Sequence, residues 1–286
     1  MRPARVSGAR VASLVVQAVF DGVLPLLVAF VLVRFLTDPE LISTSELRSN
    51  SLLMGTGAVT RPFPDWNPLL AALAASGVLL AAALVGATAL AVPAGVVYGW
   101  STTRFPKVVA WSLSTVAASL PTFFWAVALE LIFIFVFFRS GLRFLPTAGF
   151  GVDQHLVLPA LALGIRPAAQ IFRFTATSVE QIRHADYVRT AIAKGLGTRL
   201  VLRRHLVPNA APAIVAAIVF AARGALSSLV IVEFVYVWAG AGLRFVQTLG
   251  NRELDTAGVL VLSFAVASAL LALGSEIAGS WMRPAA

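Results

Sequence analysis

The stretch from Leu69 to Tyr98 contains 30 residues and not one Asp, Glu, Lys or Arg. About 20 apolar residues, at 1.5 Å each, are enough to cross the hydrocarbon core of a bilayer. Backbone groups in lipid must be hydrogen-bonded within the segment, so such a run is expected to form a helix. Similar runs recur along the chain, and the alternating pattern of a membrane barrel is absent. The sequence therefore predicts an all-α membrane protein.

Six apolar spans can be drawn, which predicts six transmembrane helices. They are Val11–Leu36, Leu69–Tyr98, Val108–Phe138, Leu156–Phe174, Ala210–Val232 and Thr256–Trp281. The third is longer than a bilayer requires and contains Pro121, so we expect a kink or a division there. Residues 1–68 then hold the first helix and an extracytoplasmic segment. Residues 69–286 form a five-helix core with a cytoplasmic hairpin at about 178–208.

The distribution of basic residues predicts the orientation, because Lys and Arg favour cytoplasmic loops. With the N-terminus inside, 13 of the 22 Lys and Arg residues fall on the cytoplasmic side, 7 on the outer side and 2 within spans. An even number of spans returns the C-terminus to the cytoplasm. The apolar run after Arg10 has no evident cleavage site, so we expect an uncleaved first span. Much of the net charge of +9 then reflects topology in the bilayer, and no nucleic-acid partner is expected.

The motifs that carry enzymatic chemistry are absent from the sequence. Its two lysines, Lys107 and Lys194, do not end a GxxxxGK[ST] phosphate loop, and there is no HExxH or GxSxG. The three histidines, His155, His184 and His205, lack metal-ligand spacing, and there is no cysteine. We therefore expect no catalytic residue, no bound metal and no cofactor on this chain.

A basic segment between the fourth and fifth spans has the pattern of a helical hairpin. Ser178 to Lys194 is compatible with one helix, and Gly195-Leu196-Gly197 interrupts it with residues that tolerate the positive φ of a tight turn. Thr198 is expected to cap a second short helix, Arg199 to Leu206. Pro208 disfavours helical geometry at the residue before it, and we expect it to mark the boundary of the fifth span. On this pattern alone, a basic helix held at the membrane surface by anionic lipid head groups is an equally good interpretation.

The same segment resembles the cytoplasmic signature loop of ABC-importer permeases. Asp186 to Leu196 matches the form DYVRTARAKGL, found in the dipeptide/oligopeptide/nickel branch, at every position except Ile192. Gly195 takes the glycine position of the motif, and Pro208 follows thirteen residues later, as in the family.

Three further segments resemble the same family. Ser119–Phe123 is similar to SLPSF, and His155–Ala160 is similar to HLVLPA. Val232-Glu233 followed by Trp238–Gly242 is similar to VVE…WPGLG, with Ala239 and Ala241 in place of Pro and Leu. This last segment is typical of the first of two paired permease subunits.

The resemblance implies a type I ABC-importer permease fold and a set of partners. A second permease would complete the translocation pathway, two ATP-binding-cassette ATPases would bind the ATP and Mg, and an extracytoplasmic solute-binding protein would deliver the solute in the cytoplasmic (inner) membrane. The hairpin would insert into a groove on an ATPase, with Ala191, Gly195 and Leu196 at the contact. The loop residues implied by the resemblance are Asp186, Tyr187, Thr190, Ala191, Ala193, Lys194, Gly195, Leu196, Gly197 and Pro208.

Four ionisable residues fall in or at the edge of spans: Glu130, Arg166, Arg223 and Glu233. An ion at the centre of a membrane helix costs about 2.5–3.5 kcal/mol on insertion scales, so such residues usually pair or face water. One interpretation is an interhelical ion pair, for example Glu130 with Arg166 or Arg223. The other is a pathway lining that meets the termini of a zwitterionic peptide.

The sequence leaves the solute open among dipeptides, longer peptides, nickel chelates and glutathione-like molecules. Two other classes stand as alternatives to an ABC permease. A secondary transporter would show inverted repeats and broken helices at the midplane, for which Pro93 and Pro121 give weak support. A membrane-embedded enzyme would need a catalytic constellation, which the sequence lacks.

Overall fold

A computed structural model describes residues 68–141 and 144–281 of the 286-residue chain. The helices of this part are α1 Pro68–Trp100, α2 Arg104–Ser119, α3 Thr122–Ser140, α4 Val157–Arg183, α5 Asp186–Ala193, α6 Thr198–Val201, α7 Val207–Val235, α8 Ala241–Gly250 and α9 Leu254–Trp281. A 3₁₀ turn, Gln154–Leu156, precedes α4, and a π-helical turn, Leu202–Leu206, joins α6 to α7. No strand occurs in these two ranges. The predicted first span, Val11–Leu36, lies outside the described residues.

Five segments of the described part are long and apolar enough to cross a membrane. They are Pro68–Trp100, Thr122–Ser140, Gln154–Arg183, Thr198–Val235 and Thr256–Gly274. These segments correspond to the second to sixth predicted spans. The all-α membrane fold that the sequence predicts is confirmed.

The third predicted span is divided at Leu120 and Pro121. Both residues are extended, with ψ of 137° at Leu120 and 151° at Pro121, and they separate α2 from α3. Proline has no N–H to donate and disfavours the helical conformation at the residue before it. Of the two helices, α2 and α3, only α3 is long and apolar enough to cross the membrane.

The predicted helix from Ser178 to Lys194 is broken at His184 and Ala185, so that prediction is wrong in its extent. Helix α4 ends at Arg183, and Ala185 is extended with ψ of 144° before α5 begins. Asp186 stands in the first turn of α5. An acidic side chain is stabilised at a helix N-terminus, which favours a new start at this position.

The predicted helix boundary at Pro208 is also wrong, because the chain is helical from Thr198 to Val235. Val207 has φ of −61° and ψ of −46°, and its N–H donates to the carbonyl of Leu202 five residues back. This widened π turn immediately precedes the residue that cannot donate, so the helix continues past the proline. The N-cap position of α6 is Gly197, and Thr198 is its first residue.

The entry to α4 is organised by Asp153. Its carboxylate accepts hydrogen bonds from the backbone N–H of His155 at 2.9 Å and contacts His155 Nδ1 at 2.8 Å. The backbone hydrogen bond, followed by the side-chain one, holds the pKa of Asp153 below its ordinary value. The carboxylate therefore caps the 3₁₀ turn that leads into the helix.

Helices α1, α4 and α7 form the centre of the described part. Gly95 and Gly99 of α1 lie directly against α4, since a Cβ on Gly99 would be 2.6 Å from Val179 Cγ1. A Cβ on Gly95 would be 2.7 Å from Thr175 Cβ. Two glycines one turn apart thus allow the two helix backbones to approach closely. Large buried side chains of the main core include Leu79, Leu158, Leu163, Leu229, Trp238 and Leu260.

Candidate functional site

The hairpin that the sequence predicts at residues 178–208 turns at Gly195. Gly195 has φ of +79°, and its N–H donates to the carbonyl of Ile192 at 2.9 Å. The N–H of Leu196 donates to the carbonyl of Ala191 at 3.2 Å, which completes the end of α5. Residues with a side chain rarely adopt this left-handed conformation. The turn that the glycine predicts is present.

A small apolar core holds the hairpin to the base of the membrane helices. Val188 of α5 and Val201 of α6 are fully buried, and Ala191 is almost so. Trp100, at the end of α1, packs against these buried residues. Ile182 of α4 packs there too, so side chains from four helices share this core, and we expect the hairpin to move with α1 and α4 as one unit.

The outward face of the hairpin combines exposed polar and apolar residues. Tyr187, Ile192 and Leu200 are exposed, although each has a large apolar side chain. Most residues of the implied loop set are also exposed, namely Asp186, Thr190, Ala193, Lys194, Gly195, Gly197 and Pro208, whereas Leu196 is half-buried. Ala191 is 6% exposed and packs inside the hairpin. Its small side chain therefore serves the internal core, and the expectation that it reaches a partner's groove does not fit this placement.

An ion pair that the sequence gave no reason to expect joins α2 to α4 beside the hairpin. Lys107 Nζ lies 2.6 Å from Glu180 Oε1 and 4.6 Å from the centre of the Tyr98 ring. One turn further along α4, Arg183 donates to the carbonyl of Ser101 at 3.3 Å. The loop between α1 and α2 is thereby fastened to the helix that leads into the hairpin.

The four ionisable residues of the spans have different environments. Arg166 is exposed on α4, whereas Glu130 on α3 and Arg223 on α7 are half-buried. Glu233, near the end of α7, is fully buried. Glu130, Arg166 and Glu233 take part neither in the Lys107–Glu180 ion pair nor in the contact between Asp153 and His155.

The Glu233 carboxylate caps the N-terminus of α8. Its Oε2 accepts hydrogen bonds from the backbone N–H groups of Gly242 at 2.7 Å and Leu243 at 3.1 Å. Its Oε1 accepts one from the Ser76 hydroxyl at 2.5 Å. The first N–H groups of a helix have no partner within the helix, and a negative charge is favourable there. This arrangement supports a structural role for Glu233.

The turn between α7 and α8 is tied to three other parts of the chain. Trp238 Nε1 donates to the carbonyl of Ala75 at 3.0 Å, and the Tyr236 hydroxyl donates to the carbonyl of Ala126 at 2.9 Å. The N–H of Gly149 donates to the carbonyl of Tyr236 at 2.9 Å. Val237 has φ of 53°, which is unfavourable for a β-branched residue and is held by these contacts.

The geometry contains no site for a metal among the residues whose positions the structure gives. No group of three His, Asp or Glu side chains is close enough there to hold an ion. What the described part offers is a helical membrane core with an anchored, outward-facing hairpin at one end.

Residues 91–285 match the model of a protein family described as the binding-protein-dependent transport system inner membrane component. The chain belongs to this family. It is an inner-membrane permease subunit of an ABC importer, as the signature loop and the three further segments indicated. Its relatives are permease subunits and not ATPases, which agrees with the absence of a phosphate loop from the sequence.

Several curated permeases are similar to the chain. It is 30% identical over 202 residues to the glutathione transport system permease protein GsiC of Escherichia coli (strain K12) and to that of Shigella dysenteriae serotype 1 (strain Sd197). These matches cover 71% of this chain and 64% of each relative. It is 31% identical over 182 residues to GsiC of Salmonella choleraesuis (strain SC-B67), covering 64% of this chain and 58% of the relative. The matches thus span less than two thirds of the relatives' length.

Proposed function

We propose that this permease forms the translocation pathway with a second permease and couples it to two ATPases through the cytoplasmic hairpin. A solute-binding protein outside the inner membrane delivers the solute, and ATP and Mg bind to the ATPases. Both termini of the chain lie in the cytoplasm in this arrangement. Closure of the two ATPases then pushes on the hairpin and reorients the membrane helices.

The observation that carries this proposal is the two-sided construction of the hairpin. Its inner side packs on Trp100 through Val188 and Val201, so a force on the hairpin reaches α1 and α4. Its outer side exposes Tyr187 and Ile192. Exposed apolar side chains with a polar surround are typical of a protein contact.

Small peptides and glutathione-like molecules are the solutes that we propose. The signature loop resembles that of the peptide and nickel branch, and the curated relatives are named as glutathione transport permeases. Glutathione and dipeptides share a free carboxylate and a small size. Nickel chelates remain the second candidate, since the loop of that branch is the same.

The proposal is tested by a matched pair of glycine variants. A Cβ would meet nothing within 4 Å at either Gly195 or Gly197, but only Gly195 has a positive φ. Gly197 is extended, with φ of −62° and ψ of 145°, a conformation that valine favours. We expect Gly195→Val to abolish solute-stimulated ATP hydrolysis in the reconstituted complex while the chain still inserts. Gly197→Val adds the same bulk to the loop without backbone strain and should lose less of that activity, and normal activity in Gly195→Val would contradict the proposal.

Cross-linking tests the contact itself, because the chain has no cysteine of its own. A single cysteine at Lys194 is expected to cross-link to an ATPase subunit in membranes that hold the complete complex. The control is a cysteine in place of Arg139, which is exposed near the C-terminal end of α3. We expect no such product from this position. Equal cross-linking from both positions, or none from Lys194, argues against the hairpin as the contact.

A further inference from the structure

Helix α4 carries a line of polar side chains along one face. Arg166, Gln170, Arg173, Thr177 and Gln181 follow one another at spacings of four, three, four and four residues, which places them on the same side of a helix. Arg166, Thr177 and Gln181 are exposed, and Gln170 and Arg173 are half-buried. We call these five residues the α4 polar stripe. It runs from the middle of the membrane-spanning helix to its cytoplasmic end.

The surroundings of the stripe differ from those of a lipid-facing surface. Of the five candidate spans, the one that contains α4 is the most buried. Between Phe123 and Phe138, by contrast, the exposed side chains of α3 are apolar and include Leu131 and Phe135. Charged side chains that face lipid are strongly disfavoured, so arginines on an exposed helix face meet water or a polar partner. The stripe is therefore suited to an aqueous surface inside the assembly.

Two aromatic contacts show which helices border the stripe. The Arg173 guanidinium lies over the Trp111 ring of α2, 4.6 Å from its centre. The Phe174 ring lies 6.2 Å from that of Phe220 on α7. The guanidinium of Arg173 is thus held in place by a cation–π contact on one side of the stripe. Helices α2 and α7 thus lie beside α4 at Arg173 and Phe174.

A third arginine lies at a similar depth on α7. Ile171 of α4 and Ala221 of α7 belong to one buried cluster, which sets the register of these antiparallel helices. Arg166 lies five residues from Ile171 toward the outer end, and Arg223 lies two residues from Ala221 in the same direction. At about 1.5 Å per residue, the depths of the two arginines differ by about one helical turn. Arg173 lies seven residues from Arg166 toward the hairpin, so Arg223 falls between these two arginines in depth.

No acidic side chain of the described part forms an ion pair with Arg166 or Arg173. Glu180, near the cytoplasmic end of α4, is paired with Lys107. Glu130 lies one turn beyond Ala126, whose carbonyl binds the Tyr236 hydroxyl at the outer end of α7. The stripe itself contains two arginines and no acid. A cavity lined by one sign of charge raises the local concentration of ions of the other sign, by roughly 10- to 1,000-fold.

We propose that the α4 polar stripe lines the solute pathway and favours solutes that carry more carboxylate than ammonium groups. This inference rests on the proposed function, and it names a substrate class within it. Arg166 and Arg173 attract the carboxylate, while Gln170 and Thr177 offer neutral hydrogen-bonding groups between and beyond them. The same two arginines repel a solute with net positive charge.

Thiol labelling tests the stripe without requiring transport. In membranes that hold the complete complex, single cysteines are placed at Gln170, at Thr177 and at the control Leu161, an exposed apolar position of α4. We expect a methanethiosulfonate reagent to label the two stripe positions at least about tenfold faster than Leu161→Cys. We divide each labelling rate by the rate of the same reagent with a free thiol. The normalised rate of the anionic sulfonatoethyl reagent should exceed that of the cationic trimethylammonium reagent by about threefold or more. Gln170→Cys combined with Arg173→Gln loses this preference, and Gln170→Cys with Arg173→Lys keeps it.

Uptake of two probe dipeptides tests the selection. Alanyl-glutamate and alanyl-lysine are delivered by the same binding protein, so a change in their uptake ratio between variants reports on the permease. We expect Arg166→Gln to lower the rate for alanyl-glutamate at least about fivefold and that for alanyl-lysine by less than twofold.

Three results would overturn the inference. One is labelling of the stripe that is as slow as at Leu161 in the complete complex, which would make the stripe a contact with the second permease. Another is equal or faster labelling by the cationic reagent. The third is an equal fall in the uptake rates of the two dipeptides in Arg166→Gln. If the native complex takes up neither dipeptide, the proposed peptide function fails, and the labelling still decides whether the stripe is wet and positive.

Discussion

The Ser76 hydroxyl and the Glu233 carboxylate form a buried hydrogen bond of 2.5 Å between residues 157 positions apart. The same hydroxyl accepts a hydrogen bond from the backbone N–H of Ala241 at 2.8 Å. One serine on α1 thus fastens the end of α7 to the start of α8. The carboxylate provides the acceptors that the first turn of α8 lacks within its own helix.

Removal of the Glu233 carboxylate is expected to destabilise the fold. Glu233→Ala leaves the N–H groups of Gly242 and Leu243 without an acceptor at a site that excludes water. Leaving buried donors unsatisfied costs about 1–3 kcal/mol, which should lower the unfolding temperature of the purified chain in detergent. Tryptophan fluorescence measures this temperature directly, since the chain contains six tryptophans.

Glu253→Ala is the matched control for that substitution. Glu253 is exposed, and its carboxylate makes a long contact of 3.4 Å with Asn251 Nδ2. We expect this variant to unfold within about 0.5 kcal/mol of the parent, as is usual for surface substitutions. Equal unfolding temperatures for Glu233→Ala and Glu253→Ala would show that the cap contributes nothing to stability.

The start of α8 should not tolerate a side chain at Gly242. A Cβ there would lie 2.6 Å from Val230 Cα, and a backbone atom cannot move aside cheaply. We expect Gly242→Ala to cost more than about 1–3 kcal/mol, the usual range for overpacking. Gly250→Ala, at the other end of α8, meets nothing within 4 Å and provides the comparison. The yield of folded protein in membranes and the unfolding temperature both report the difference, and similar values for the two variants would refute it.

The features that could be predicted are those that depend on residues close together in the sequence. The spans follow from uninterrupted apolar runs, and the turn of the hairpin follows from a glycine at a position that needs positive φ. The break at Pro121 follows from one residue that cannot donate an N–H. Pro208 has the same chemistry, yet the helix continues there because a π turn before it adjusts the register. Sequence alone does not show which of these two responses a proline produces.

Contacts between distant helices could not be predicted from the sequence. Glu233 is a charged residue in an apolar segment, which indicates an unusual environment but not a partner. Ser76 has no distinguishing pattern on a helix of small residues, so its role becomes visible only when α1 and α7 are packed together. The same holds for Ala191, whose small size fits either a partner's groove or the hairpin core.

The pairing of Lys107 with Glu180 is expected to contribute measurably but modestly to stability. The side chains are 18% and 43% exposed, so solvent screens part of the attraction. A double-mutant cycle with Lys107→Met and Glu180→Gln should give a coupling energy of about 0.2–1 kcal/mol, the range for solvent-accessible pairs. The coupling should shrink as salt is added to the detergent solution. A coupling energy of zero at low salt would show that the two side chains act independently.

The close approach of α1 to α4 at Gly99 predicts a strong effect of a single methyl group there. A Cβ there would be 2.6 Å from Val179 Cγ1 and 2.8 Å from the carbonyl oxygen of Ala176. Gly99→Ala must therefore push the two helices apart just above the hairpin, at a cost of about 1–3 kcal/mol.

Gly77→Ala, on the same helix, is the control, because a Cβ at Gly77 meets nothing within 4 Å. Replacing glycine by alanine within a helix is otherwise favourable by about 0.5–1 kcal/mol, so Gly77→Ala should unfold at the same temperature as the parent or higher. Gly99→Ala should unfold at a lower temperature and should also weaken solute-stimulated ATP hydrolysis, since α1 carries the Trp100 side chain that holds the hairpin. If Gly99→Ala is as stable as Gly77→Ala, the close approach of α1 and α4 is not as the structure describes it.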